Sequence, residues 1–190
     1  MKTTIVSIKV LLFMILLTGV VYPLTMTGIS QLLFHHKANG SLIFKGNTLI
    51  GSELIGQQFD SSIYFWSRPS AIKYNPLPSS GSNFGPSSDK LKNLVSERRA
   101  LWLNATNQVG NIDIPAEMIF ASASGLDPEI SPKAALAQAD RVAFSRSYTN
   151  RQKKQMMQII SGLSKKPQYL VFGEPRINVF ELNLSIDSIR

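Results

Sequence analysis

The longest uninterrupted apolar pattern lies at the N-terminus. Residues 10–34 contain no charged side chain, and as a helix these 25 positions would extend roughly 37 Å, enough to cross a hydrocarbon core of about 30 Å with some tilt. The first half, VLLFMILLTGVVY, is almost uniformly apolar. The second half carries Pro23, Thr25, Thr27, Gly28, Ser30 and Gln31, a composition suited to packing against other helices, with Pro23 permitting a kink. The pattern predicts an N-terminal transmembrane helix at 10–34, preceded by a short tail at 1–9. The competing reading is a cleaved signal peptide, since Met-Lys followed by an apolar run is how one begins. Against it, no A-x-A-like site follows Tyr22, and apolar character resumes at Ile29, Leu32, Leu33 and Phe34.

Past the anchor the periods shorten. Short β-prone runs at 41–44 and 48–50 flank Lys45-Gly46-Asn47 and predict a small hairpin. Residues 66–88 hold four prolines, seven serines, two glycines and two asparagines, which block both helical and strand periodicity and predict a long loop. Trp66, Tyr74 and Phe84 give that loop aromatic anchors, and Arg68 and Asn83 give it hydrogen-bonding reach, so an ordered, partner-facing loop is expected rather than a linker.

Helical spacing returns at Leu91, Leu94, Val95, Leu101 and Trp102, in a helix opening near Asp89 and ending at about Asn104. Ser131-Pro132 opens a second, alanine-rich helix running to about Ser147, and a third runs from Asn150 to about Gly162. Arg151, Lys153 and Lys154 read as its solvated face. From Arg176 to Ile186, Ile177, Val179, Leu182, Leu184 and Ile186 alternate with polar residues and slip register near Phe180-Glu181, which predicts a closing strand. The fold class is α+β: one transmembrane helix, then a single mixed α/β extramembrane domain at 35–190.

Composition narrows the chemistry. Among 190 residues there is no cysteine, which removes disulfides, thiol nucleophiles and a lipoprotein anchor. The two histidines, His35 and His36, are adjacent at the far membrane boundary; two ligands without a third make no metal site, and the rest of the chain has no imidazole for a Ser-His-Asp relay. The net charge of +8 suggests nucleic acid until it is divided: Lys2, Lys9 and Lys37 flank the apolar segment, leaving 17 basic and 12 acidic residues beyond it. Neither GxxxxGK[ST] nor GxGxxG is present, and no G-x-S-x-G elbow. A serine hydrolase would need Ser124 or Ser82 as nucleophile with Lys73 or Lys133 as base.

Turn chemistry is densest in ASASGLDPEIS at 121–131, where Gly125 can take a positive φ, Asp127 before Pro128 favours a turn and Ser131 caps the next helix. A functional reading would use Ser122, Ser124 and amides near Gly125 as donors to an anion or nucleotide, with Arg141 or Arg146 supplying charge; Arg141 and Asp140 could equally form structural ion pairs. Topology is weakly specified. Lys2, Lys9 and the amino terminus face Lys37 and Lys45, a slight bias toward a cytoplasmic N-terminus and a periplasmic domain.

The ordered set GSELIGQQF (51–59), YFWSRPSA (64–71), YNPLPSSGSNFGP (74–86), SASGLDPEIS (122–131) and RINVFELNL (176–184) resembles the C subunit of the Kdp potassium-transporting ATPase over essentially the whole chain. The resemblance implies a single-pass protein of the bacterial inner membrane, non-catalytic itself, in a complex with an ATP-hydrolysing P-type subunit, a channel-like potassium subunit and a small membrane peptide. It also implies a catalytic chaperone that raises the ATP affinity of the ATPase subunit, with ATP reached through the complex and no metal in this chain. The residues it points to are Arg68, Tyr74, Asn75, Ser80, Gly81, Asn83 and Gly85 in the loop, and Ser122, Ser124, Gly125, Asp127 and Gln138 as nucleotide or partner contacts. Two readings follow: nucleotide contact at the second cluster, which requires a cytosolic domain, or a periplasmic assembly and gating role with the loop capping the potassium pathway. The alternatives to both are a membrane-anchored periplasmic serine hydrolase and an orphan anchored binding module.

Overall fold

The computed structural model describes residues 2–106, 113–169 and 171–189. The chain divides into two compact units, Met1–Ser52 and Glu53–Arg190.

In the first unit, α1 (Lys2–Leu16), a π-helical turn (Leu17–Val21) and α2 (Tyr22–Leu33) form one apolar helix of 32 residues. It starts earlier than expected because Lys2 and Lys9 are good helix formers, and a charge ends an apolar stretch without ending a helix. The π turn has a local cause. Pro23 has no N–H to give to the Gly19 carbonyl, and the wider turn carries the Tyr22 N–H to the Leu17 carbonyl instead. The side chains are exposed along nearly the whole length, as a candidate membrane span requires. Phe34, at φ −135°, breaks the helix, and α3 (His35–Ala38) follows. His35 shares hydrogen bonds with Gln31 and Asn39 there. The expected hairpin forms from β1 (Leu42–Lys45) and β2 (Thr48–Ser52), antiparallel with a register shift between Ile43 and Phe44.

The second unit begins with a long irregular stretch reaching α4 (Asp89–Thr106), which extends past Asn104 to Thr106, whose hydroxyl bonds the Trp102 carbonyl. A short 3-10 turn (Ala116–Met118) leads to β3 (Glu129–Ile130) and then to α5 (Pro132–Ser145), capped by the Ser131 hydroxyl on the Ala134 N–H at 3.1 Å. Next, α6 (Asn150–Leu163) carries a reciprocal capping box between Thr149 and Gln152. The alanines of α5 are buried at 134, 135, 139 and 143, so α4 and α6 can pack closely on either side around Trp102, Val142, Met156 and Ile160.

The C-terminal segment departs from expectation. Only Ile177–Asn178 is a strand, β4, paired with β3 through Glu129↔Asn178 and Ile130↔Ile177. Val179–Ile186 is a helix, α7. Its start is fixed by Asn178, whose side chain accepts from the Glu181 N–H at 3.1 Å. Val179, Phe180, Leu182, Asn183 and Ile186 are buried and fall on one face at helical spacing, a stripe disguised in the sequence by polar Asn183 within it and apolar Leu184 outside it.

Candidate functional site

The polar interior of the second unit converges on one short irregular segment, a turn at 61–64 leading into Phe65 and Trp66. Residues 62–66 have no ladder partner, yet five successive carbonyls are met by side chains from α5, its C-terminus and α7. Arg141 donates to Ser62 O at 2.7 Å and to Tyr64 O at 3.0 Å, and Arg146 donates through Nε to Ile63 O at 2.6 Å. Asn183 donates to Phe65 O at 2.9 Å and Gln138 to Trp66 O at 3.2 Å. The same two amides accept in return, from Phe65 N–H at 2.8 Å and Trp66 N–H at 2.7 Å. Each amide thus supplies both halves of a missing strand partner. Arg141 also donates to Gln138 Oε1 at 2.8 Å and lies over the Trp66 ring at 4.0 Å from its centroid.

Burial pulls the Arg141 guanidinium down to about 10, still well above neutrality, so it remains a cation in place. For Arg146 burial acts downward as well, but the Asp187 carboxylate at 2.7 Å and the Tyr148 hydroxyl outweigh it and raise the pKa. Both arginines are therefore committed. The charge expected from them for an anion at 122–127 goes to backbone carbonyls, and Asp140 pairs with Lys153 at 2.7 Å rather than with Arg141.

The two residue groups read from the sequence meet. Arg68 Nη1 bonds Asp127 Oδ2 at 2.9 Å, Ser79 donates to Ser124 O at 3.0 Å, and the Ser122 N–H donates to Pro69 O at 3.0 Å. Gly125, at φ +71°, faces the loop so closely that a Cβ there would lie 2.5 Å from Ile72 Cγ1 and 3.0 Å from Ser80 O. At Gly81 a Cβ would lie 2.7 Å from Ala123 O. Within the loop, the Tyr74 hydroxyl donates to the Arg68 carbonyl, Asn75 Oδ1 accepts from Leu77 N–H at 3.1 Å, and burial raises the Tyr74 pKa to about 12. Asn83 has a positive φ of 51° and, like Gly85, is exposed.

The anion donors expected at 122–127 are only partly engaged. Ser122 is buried with its N–H on Pro69, and the Ser124 hydroxyl accepts from Leu126 N–H at 3.1 Å. Asp127 adds a carboxylate whose Oδ1 accepts from Glu129 N–H at 3.0 Å. Lys133, one of the two bases considered for a hydrolase, bonds Asp113 at 2.6 Å. Sequence reasoning missed Asn183 and the carbonyl-binding role of Arg141 and Arg146. Their signal was present as polar residues on otherwise buried helix faces, Gln138 and Arg141 among the alanines of α5 and Asn183 between Leu182 and Ile186 of α7.

A helix apolar enough to span a bilayer, followed by a unit whose buried polar groups hold a long loop in place, fits a single-pass membrane-associated protein. Comparison with known proteins specifies it further: a family model described as "KdpC: K+-transporting ATPase, c chain" matches residues 4–188, and the chain belongs to that family. Similar proteins include the potassium-transporting ATPase KdpC subunits of Dechloromonas aromatica (46% identity, 97% of this chain and 95% of the relative), Paraburkholderia phymatum (45%, 90% and 89%) and Escherichia coli strain SMS-3-5 (43%, 96% and 96%).

Proposed function

We propose that this chain is the non-catalytic accessory subunit of an ATP-driven potassium transporter. In this reading it is anchored by its single helix with the N-terminus inside, and it acts from the outer face through the surface of the 66–88 loop on the ATP-hydrolysing and channel-like subunits, with a small membrane peptide completing the assembly. The observation that carries the reading is the interlock of that loop with 122–127. Arg68–Asp127, Ser79–Ser124 and the close approaches at Gly81 and Gly125 hold the loop, while Leu77, 81% exposed, Asn83 and Phe84 remain available to a partner. Ordering in advance lowers the entropy lost on docking.

A rise in the ATP affinity of the partner subunit is, on this reading, transmitted through the assembly. The burial of Ser122, the engagement of its N–H by the Pro69 carbonyl and the carboxylate of Asp127 favour that route over direct phosphate contact.

The absence of native cysteine makes the test direct. Leu77→Cys in the full complex is expected to react with a membrane-impermeant maleimide in intact spheroplasts, and Leu77→Asp to impair assembly or potassium uptake at low external potassium. Labelling confined to inverted vesicles would overturn the orientation. Wild-type uptake by the Asp variant would overturn the role of the loop.

A further inference from the structure

The irregular 58–74 segment, α4 and the 3-10 turn line a cavity of about 400 Å³ that is open to solvent on one side, within the size range of small-molecule sites. Its walls include Trp66, Trp102, Phe59, Tyr74, Pro69 and Met118, and the two tryptophans meet edge to face at 6.5 Å. The stack with Arg141 and the bracket from Gln138 fix Trp66, so this wall is rigid. The Tyr74 hydroxyl is already on the Arg68 carbonyl, so Tyr74 offers the cavity its ring and no free donor.

Charge at the lining is uneven. Lys73 and Arg98 contribute two cations against Asp60, whose carboxylate already accepts from Gln58 Nε2 at 2.7 Å. Lys73 is exposed and in no ion pair among the described residues. Arg98 is partly buried, donates to the Ile119 carbonyl at 2.8 Å, and burial lowers its pKa. Lys73 and Tyr74 are consecutive non-glycine residues at φ 52° and 58°, held there by the Ser70 hydroxyl, which accepts from Tyr74 N–H at 3.0 Å. Left-handed backbone at two such residues is uncommon and recurs where a side chain must be aimed.

We propose that this cavity binds an apolar carboxylate, with a hydrocarbon or aromatic body against Trp66, Trp102 and Tyr74 and the carboxylate toward Lys73 and Arg98. The same chemistry comes from two sources, a free small-molecule carboxylate or an acidic, aromatic-bearing peptide segment of a partner. The inference stands on the cavity alone and does not depend on the transporter reading.

The chain has two tryptophans and both line the cavity, so the intrinsic fluorescence of the full-length protein in detergent reports occupancy. The probes are 3-phenylpropanoate, the neutral 3-phenylpropanamide, the cationic 3-phenylpropylamine and the peptide N-acetyl-Asp-Phe-Glu-amide. The amide controls for partition into the micelle. The expected result is saturable change with 3-phenylpropanoate at least about tenfold tighter than with the amide or the amine, weakened by salt. In Lys73→Gln, an exposed position whose folding is checked by circular dichroism, carboxylate affinity is expected to fall roughly three- to tenfold with amide affinity unchanged. Whichever of 3-phenylpropanoate and the peptide binds more tightly names the source. Equal binding of the three small probes, no saturable signal from either carboxylate probe, or an unchanged carboxylate affinity in Lys73→Gln would overturn the proposal.

Discussion

Asn183 offers the sharpest test of whether the side-chain clamp on residues 62–66 holds the domain together. Its side chain, 2% exposed, satisfies both backbone groups of Phe65, itself fully buried, at 2.8 and 2.9 Å. In Asn183→Ala the donor and acceptor vanish while Phe65 N–H and C=O stay behind. An unsatisfied buried polar group costs about 1–3 kcal/mol, so two give about 2–4 kcal/mol once partial relaxation is allowed. That is a large share of the roughly 5–15 kcal/mol by which a domain is stable. For a domain of this size it lowers Tm by roughly 8–15 °C.

The assay is urea unfolding of the full-length chain in detergent followed by tryptophan emission, since Trp66 and Trp102 both lie in the affected unit. Asn93→Ala on the exposed face of α4 is the control; it makes the same gain in helix propensity without touching the clamp, and is expected to stay within about 0.5 kcal/mol. A shift of less than about 0.5 kcal/mol for Asn183→Ala relative to that control, with an unchanged m-value, would refute the reasoning. It would mean that water reaches Phe65 and serves it as well as the amide does.

Two further outcomes follow from the loop. Gly125→Ala combines a left-handed residue, costing about 1–2 kcal/mol, with a Cβ only 2.5 Å from Ile72 Cγ1, so a loss of about 2–4 kcal/mol is expected by the same assay, while Gly85→Ala, with open space around it, is expected to be near neutral. Tyr74, pushed up to about 12 mainly by burial, has a folded pKa above its ordinary value near 10; its contribution to stability is present in full below pH 10 and is lost as pH rises through 12. Stability measured from pH 9 to 12 is expected to fall more steeply in the wild type than in Tyr74→Phe, and parallel slopes would contradict that assignment.

Much of this architecture is legible in the chain because local chemistry and final burial agree. The apolar run of the anchor, the Lys45-Gly46-Asn47 hairpin, the Ser131-Pro132 start of α5 and the proline- and serine-rich loop each follow from residues near in sequence. Agreement fails where tertiary burial overrides the pattern. In α7 the buried face includes polar Asn183 and leaves apolar Leu184 outside it, so the apolar residues at 177, 179, 182, 184 and 186 fit an alternating template by accident. The better signal was Asn178 followed three positions later by Glu181, the spacing of a helix start. The site residues were found as two separate groups because nothing local tells that Gly125 is shaped to receive Ile72 and Ser80. Likewise the cavity joins Trp66 to Trp102 across 36 positions, a contact that only the packing of α4 supplies.

The distribution of polar groups explains why so irregular a segment can be a dependable surface. A loop left to water would be mobile, and a partner binding it would bear the cost of ordering it. Here that order comes from within, through two guanidinium groups and two amides that replace the neighbouring strand a sheet would have provided. These groups are distributed over α5, its C-terminus and α7, so the position of 62–66, and of the loop that continues from Trp66, is set by how those helices pack around Val142, Ile160 and Leu182. A change in the core that leaves every exposed residue untouched can therefore shift the exposed loop. On the proposed reading, Arg68, Tyr74 and Asp127 serve as positioning residues, and contact with a partner falls to the side chains they leave exposed, Leu77, Asn83 and Phe84.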